Sequence, residues 1–333
     1  MNNLIVIGTL SLISVSLIAC ASPPYRSKTT PYQVTSNTGK DITNAILTKR
    51  SDHCADYVGQ YHATAKDHHN HQQYQSYLTI ITAGNKCIFT SNAIPNHTYN
   101  DGKKSFPNDV TSQHQTYQIT QSPTFATHTT PISLRRDNAI FLNGVKVDLL
   151  AAGCYGVGDG RIGCNNMSQP WRYDPVYIFS MITTDTHNAH AQPDGTYHYH
   201  ATPNALFSVQ SNTASPVIGF AADGFPIFGS LIDDHGKIRA VKSSYQLRAG
   251  TRPSGSGNPG GKYDGMFRDD YVYVKGSGDL DECNGMTVNG IYGYYITSTF
   301  PYILNCFKGT PDSSFNKKRP GHHRHPKPPK RRP

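Results

Sequence analysis

Residues 185–200 contain four of the sixteen histidines in this chain of 333 residues. Two of them, His198 and His200, alternate with Tyr197 and Tyr199. If this segment is a strand, both imidazoles lie on one face and both phenol rings on the other. Two imidazoles on one strand face can bind a single ion, and neutral imidazole suits copper and zinc. The spacing therefore predicts a transition-metal site, with copper or zinc as the ion.

Two more histidines, His187 and His190, come just before this strand, in a segment that reads as a loop. We expect the loop to close over the strand and to supply a third or fourth ligand. A catalytic zinc site needs three protein ligands, an open position and a general base. Asp185 and Asp223 are the candidate bases, although Asp223 is explained equally well as the first residue of an Asp-Gly turn.

The remaining predicted site residues support the ligands. A ligating imidazole usually donates its other N–H group to an oxygen, and Asn188 and Asp185 are close enough in sequence to accept it. Tyr197 and Tyr199 are expected to anchor the opposite face of the strand. The sequence thus predicts that histidines bind the ion and that their neighbours hold them in place.

The tetrapeptide at residues 197–200 and several other segments resemble the YHYH-domain proteins. The resemblance extends over about residues 85–310 and is carried by residues 91–97, 154–164, 169–175, 187–190, 223–229, 280–285 and 300–302. His97 ends the first of these segments, so the resemblance makes it a further candidate ligand. The family fixes no reaction, and the function must be argued from the residues.

A degenerate copy of the histidine segment occurs later in the chain. Residues 185–202 align with residues 281–297, and Tyr292 and Tyr294 occupy the positions of the two tyrosines. The positions of the four histidines are taken by Cys283, Met286, Gly293 and Tyr295. The tyrosines therefore indicate scaffold, and the histidines indicate a function present in only one copy.

The N-terminus predicts export. Residues 4–19 are uncharged and mostly apolar, and Leu17-Ile18-Ala19-Cys20 fits a bacterial lipobox, although the first three residues carry no Lys or Arg. We expect residues 1–19 to be a signal peptide, Cys20 to be lipidated, and residues 20–45 to be a tether. Ala21 favours the outer membrane as the destination. An ordinary signal peptide cut nearby is the alternative.

The other six cysteines predict a disulfide-braced domain. An even number in an exported chain favours three bridges, and nearest-neighbour pairing gives Cys54–Cys87, Cys154–Cys164 and Cys283–Cys306. Free or metal-binding cysteines are the alternative. Abundant Tyr, Thr, Asn, Ser and Gly favour a mainly β fold. We expect one β-rich domain with long loops over residues 46–315, with a sub-boundary near residue 130 left open.

Charge is concentrated at the C-terminus. The net charge is +9, and eight Lys and Arg residues lie in residues 316–333, so the rest of the chain is close to neutral. This proline-rich tail is expected to be disordered and to contact anionic lipid or polysaccharide. No nucleic-acid surface is indicated. The glycines of residues 154–164 lack the Lys-Ser/Thr of a phosphate loop, so no nucleotide cofactor is expected.

Three functions remain open at this stage. The first is a metal-binding lipoprotein of the cell envelope. The second is a metal-dependent hydrolase or oxidase that uses the same residues. The third is a non-catalytic module that binds carbohydrate or protein, in which the histidines form hydrogen bonds in a polar core.

Overall fold

Regular alternation of buried and exposed side chains builds the first sheet. Ser76, Leu78 and Ile80 point into the core from one long strand, while the residues between them are partly exposed. The next strand pairs with it antiparallel after a turn at residues 83–86. The five strands, in spatial order, are β1 (Lys40–Asp41), β2 (Gly59–Lys66), β3 (Gln73–Ala83), β4 (Lys86–Ser91) and β5 (Gln115–Thr120).

These observations come from a computed structural model that describes residues 39–158, 163–177 and 184–317. In this part the chain is mainly β, as predicted, and its only helices are three short 3₁₀ turns at Cys54–Tyr57, Arg268–Asp270 and Ser313–Phe315. None of the helices described is long and apolar enough to cross a membrane. The predicted signal peptide, Cys20, most of the tether, and the tail from residue 318 lie outside the described residues.

The second sheet has eight strands and carries the histidine segment. Its members are β7 (Ala139–Phe141), β8 (Lys146–Val147), β9 (Ala189–Ala191), β10 (Tyr197–Tyr199), β11 (Val217–Ala221), β12 (Pro226–Phe228), β17 (Gly285–Val288) and β18 (Ile291–Tyr295). Three two-stranded ribbons complete the fold: β6 (Thr130–Pro131) with β19 (Cys306–Phe307), β13 (Leu231–Asp234) with β14 (Lys237–Ala240), and β15 (Tyr245–Leu247) with β16 (Tyr271–Tyr273).

The eight-stranded sheet consists of two equivalent halves. In the first half, the β7–β8 hairpin pairs with β10 in parallel, and β10 pairs with β9 antiparallel. In the second half, the β11–β12 hairpin pairs with β18 in parallel, and β18 pairs with β17 antiparallel. Strands β7 and β11 join the halves as an antiparallel pair at the centre. The sequence repeat is therefore part of a larger structural repeat, residues 139–200 and 217–295.

The core lies between the two sheets. Phe89 of β4 meets Phe220 of β11 with ring centroids 6.2 Å apart, and Tyr57 contacts the same ring at 5.7 Å. The central strands β7, β8, β11 and β12 are buried along their whole length. Burial on both faces explains why β7, β11 and β12 read as continuous apolar runs instead of alternating ones. The histidine segment is thus attached to a fixed support.

The three disulfides connect the partners predicted from the sequence. Cys54–Cys87 ties the first 3₁₀ turn to β4, and Cys283–Cys306 ties the loop before β17 to β19. Cys154–Cys164 closes the glycine-rich loop. With all six cysteines oxidised, no thiolate is left among them to bind a metal.

The folded region is wider than the predicted span of 46–315. Strand β1 pairs with β2 and Ile42 is buried, so the predicted tether ends before residue 40. At the other end, the Lys317 N–H donates to Arg135 O at 2.9 Å and its ammonium pairs with Asp148. Composition does not reveal these backbone pairs. The described residues between 39 and 317 belong to one compact unit. The domain span of 46–315 and the possible sub-boundary near residue 130 remain predictions.

Candidate metal centre

Strands β9 and β10 bring three histidines together. Antiparallel pairing places His190 directly opposite His198, and His200 follows on the same face of β10. His200 Nε2 lies 3.0 Å from His198 Nε2 and 3.0 Å from His190 Nε2. We call these three residues the histidine triad. The expected loop around His190 is in fact a strand, and its register supplies the third imidazole.

Burial keeps the triad neutral. His198 and His200 are almost fully buried, and His190 is partly so. Desolvation lowers the pKa of His190 and of His200 to about 3, with His200 adding to the effect on His190 and Lys317 to the effect on His200. Desolvation also holds the pKa of His198 well below its usual range. Neutral imidazole is the form that binds a metal ion.

One atom carries two of the contacts within the triad. A neutral imidazole nitrogen carries either one hydrogen or one lone pair. His200 Nε2 must therefore share that single hydrogen or lone pair between two neighbours that are each 3.0 Å away. His198 Nδ1 faces Thr196 O at 3.3 Å, which favours a proton there and a lone pair on Nε2. A cation that accepts a lone pair from each of the three Nε2 atoms would need no such sharing.

Two predicted ligands lie on the opposite face of β10. His97 Nε2 is 2.6 Å from the Tyr199 hydroxyl, and the His97 and His187 rings pack with centroids 4.2 Å apart. Because side chains alternate along a strand, groups that contact Tyr199 are separated from the triad by the backbone. The predicted set of five ligands is thus reduced to three, without His97 and His187.

Asp185 and Asn188 fix the backbone before β9. The Asp185 carboxylate accepts hydrogen bonds from the Tyr197 hydroxyl at 2.7 Å and from the His187 N–H at 3.0 Å. Desolvation raises the pKa of Asp185 to about 7. Asn188 has a φ of 60°, its side chain donates to Thr202 O, and its carbonyl accepts from the His200 N–H. These residues position the strands and form no hydrogen bond to a triad imidazole.

Asp223, the other candidate base, belongs to the second half of the repeat. Its carboxylate accepts from the Tyr294 hydroxyl at 2.6 Å and from the Gly309 N–H at 2.9 Å. The matching contact in the first half joins Asn143 Nδ2 to the Tyr199 hydroxyl at 3.0 Å. Asp223 is thus the counterpart of a scaffold asparagine, and its role is structural.

The second half shows what the site looks like without histidines. Met286 pairs with Gly293 where His190 pairs with His198, and Tyr295 replaces His200. A side chain at Gly293 would meet the Phe228 ring at 2.6 Å, and Phe228 stacks on Tyr295 with centroids 5.1 Å apart. Apolar groups fill the space there, so the polar cluster is specific to one half.

The triad opens into a cleft of about 740 Å³. Charged residues that sequence reasoning missed lie on this side: Asp148 and Lys317 line the cleft, and Lys146 of β8 pairs with Asp137 at 3.1 Å. The sequence signal was present, because Val145-Lys146-Val147-Asp148 places two charges in an otherwise apolar strand. Burying a charge is costly unless the charge is paired, so charges in such a strand indicate a polar site whose charged partners are buried with them.

Both halves of the repeat lie within a segment that matches a known protein family. A family model described as YHYH protein matches residues 116–309, which enclose both halves of the repeat and the triad. Neither the curated proteins nor the solved structures include a match. The matched segment covers more than half of the chain, and the protein therefore belongs to the YHYH protein family.

Proposed function

We propose that the protein binds one transition-metal ion, copper or zinc, through the Nε2 atoms of His190, His198 and His200. The observation that carries the proposal is the convergence of three buried neutral imidazoles, in which His200 Nε2 lies 3.0 Å from both other Nε2 atoms. The second half of the repeat supports it, because the same backbone there holds Met286, Gly293 and Tyr295.

Three protein ligands leave a coordination position open. Structural zinc sites are usually closed by four protein ligands, whereas catalytic or exchange sites keep one position for water or another small ligand. In this protein all three histidines line the cleft, from which such a ligand would enter. The donor set, three imidazoles without thiolate, suits zinc and copper and is poorly matched to magnesium or calcium, which prefer oxygen.

Calorimetric titration of the full chain with Zn²⁺ and Cu²⁺ tests the proposal. His198→Gly introduces the residue that the second half uses and should abolish tight binding. His187→Gln is the matched control, because it removes an imidazole from the other face of β10, and it should bind as the parent does. Equal affinity in the parent and His198→Gly would assign the histidines to a polar core.

We also infer that the protein is an envelope lipoprotein anchored through Cys20, facing the periplasm or the cell surface. The lipobox at residues 17–20 supports this, and three disulfides are typical of an oxidising compartment. Cys20→Ser should abolish labelling by a clickable fatty acid, and persistent labelling would refute the anchor. The seven basic residues that follow Lys317 add attraction to anionic headgroups. Removing residues 318–333 should reduce binding to vesicles that contain anionic lipid.

A further inference from the structure

Asp148 presents one free oxygen beside the histidine triad. Its Oδ2 atom accepts hydrogen bonds from Gln192 Nε2 at 3.2 Å and from the Lys317 ammonium. Its Oδ1 atom is buried and has no partner among the described residues. A buried polar atom without a partner calls for an explanation, and a missing water or ion is one of the usual ones. Hydrogen bonds hold the Asp148 carboxylate through Oδ2, and Oδ1 is left to accept a hydrogen bond from a bound molecule.

Strand register places this carboxylate next to His200. In the parallel pair, Lys146 lies opposite His198 and Val147 opposite Tyr199. The Asp148 N–H continues the pairing by donating to Tyr199 O at 2.9 Å. Asp148 is therefore the neighbour of His200 on the adjacent strand, and neighbouring strands are about 4.8 Å apart. Both side chains line the same cleft.

The structural repeat supplies independent support. In the second half, Phe228 lies opposite Tyr295, so Phe228 is the counterpart of Asp148. Four adjacent positions thus differ together between the halves: three imidazoles and a carboxylate in one, and Met286, Gly293, Tyr295 and Phe228 in the other. If Asp148 served only to pair with Lys317, its position would have no reason to differ between the halves together with the three histidine positions.

We propose that Asp148 is the general base of the metal centre, which makes the site hydrolytic; this inference rests on the proposed metal binding. With an ion held by the triad, Asp148 Oδ1 would accept a proton from water beside it, and the oxygen of that water would add to the carbonyl carbon of an ester. The bond from that carbon to the leaving oxygen would break, and Asp148 would return the proton to that oxygen. The products are a carboxylic acid and an alcohol, and no oxidant or reductant is needed.

The cleft favours an uncharged acyl ester as the substrate class. Lys317 is the only cation among the described residues that line it, and its ammonium is already paired with Asp148 and lies 3.7 Å from Asp137. Asp194 adds another carboxylate to the lining. A phosphate or carboxylate substrate would thus find no free cation. Leu134, Leu150 and their alanine neighbours provide apolar contact for an acyl chain.

The test compares zinc-loaded full-length proteins in hydrolysis of 4-nitrophenyl acetate, with zinc affinity measured on the same samples. Asp148→Asn should keep zinc affinity within about threefold and lose about 10²-fold or more in rate, the usual contribution of a general base. Asp109→Asn is the matched control: it makes the same charge change at an exposed position that does not line the cleft, and it should leave both values unchanged. Where Asp148→Asn fails to fold, Asp148→Glu keeps the carboxylate but moves its oxygen, and it should lose at least about tenfold in rate.

The outcomes separate the two proposals. No zinc binding by the parent would refute the metal centre itself. Zinc binding without hydrolysis above the metal-free rate would overturn the hydrolytic inference and leave the metal centre standing. An unchanged rate in Asp148→Asn, or in Asp148→Glu where that variant replaces it, would overturn the role of Asp148. Loss of zinc binding in Asp148→Asn would make Asp148 a ligand and would overturn its role as a base.

Discussion

His190→Met should make the metal-free protein more stable while it weakens metal binding. Methionine is the residue at the equivalent position of the second half, Met286, so the strand backbone accepts it. The substitution removes one of the two neighbours that share His200 Nε2, and it deletes His190 Nδ1, a buried nitrogen without a partner among the described residues. The His190 imidazole thus serves metal binding and lowers the stability of the metal-free protein.

Both magnitudes follow from these contacts. One buried unsatisfied polar group costs about 1–3 kcal/mol, so the free energy of unfolding of the metal-free variant should rise by about that amount. In a domain of this size, each kcal/mol corresponds to a shift of roughly 2–4 °C in Tm. Zinc binding to four ligands is worth about 10–16 kcal/mol, or roughly 3 kcal/mol per ligand. Loss of one ligand should therefore weaken Kd by about two orders of magnitude.

Thermal unfolding with chelator and with added zinc measures both effects, together with calorimetric titration. In chelator, the variant should melt at a higher temperature than the parent. With zinc at about 100 times the parent's Kd, the parent should gain about 2.7 kcal/mol and the variant far less. A variant that melts lower than the parent in chelator and binds zinc equally well would refute the reasoning, because it would show that His190 acts only in packing.

Two further predictions concern the surrounding structure. His97→Gln should leave zinc affinity within about threefold of the parent, because His97 lies on the other face of β10. Desolvation lowers the folded-state pKa of His97 to about 3, so the stability this group contributes is present above pH 6.5 and is lost as pH falls from 6.5 towards 3. Between pH 6.5 and pH 4.5, the free energy of unfolding measured in urea should thus fall by about 2–3 kcal/mol more in the parent than in the variant. Equal decreases in the two proteins would contradict this. A chain that ends at Lys317 should melt as the full chain does, whereas one that ends at Ser314 should lose about 3–5 kcal/mol, because Phe315 is 1% exposed and packs on Tyr117. Equal melting of the two truncated chains would show that this segment does not dock.

Local sequence patterns were sufficient to predict several features of the fold. The alternation at residues 197–200 predicted that tyrosines and histidines occupy opposite faces, because side-chain direction in a strand depends only on position. The six cysteines predicted three bridges, and their nearest-neighbour pairing is the one in the structure. The alignment of residues 185–202 with 281–297 separated scaffold tyrosines from the histidines of one copy. Each of these features is set within a short stretch of chain.

The members of the metal centre depend on pairings that no local pattern contains. His187 and His190 looked equivalent in the sequence, and only the register of β9 against β10 brings His190 to His198 and leaves His187 on the other face. Asp148 enters the site because β8 runs parallel beside β10, although some fifty residues separate them in the chain. Sequence patterns predicted that histidines would bind a metal, but tertiary pairing decided which ones converge, because a one-residue change of register reverses the face of every side chain in a strand.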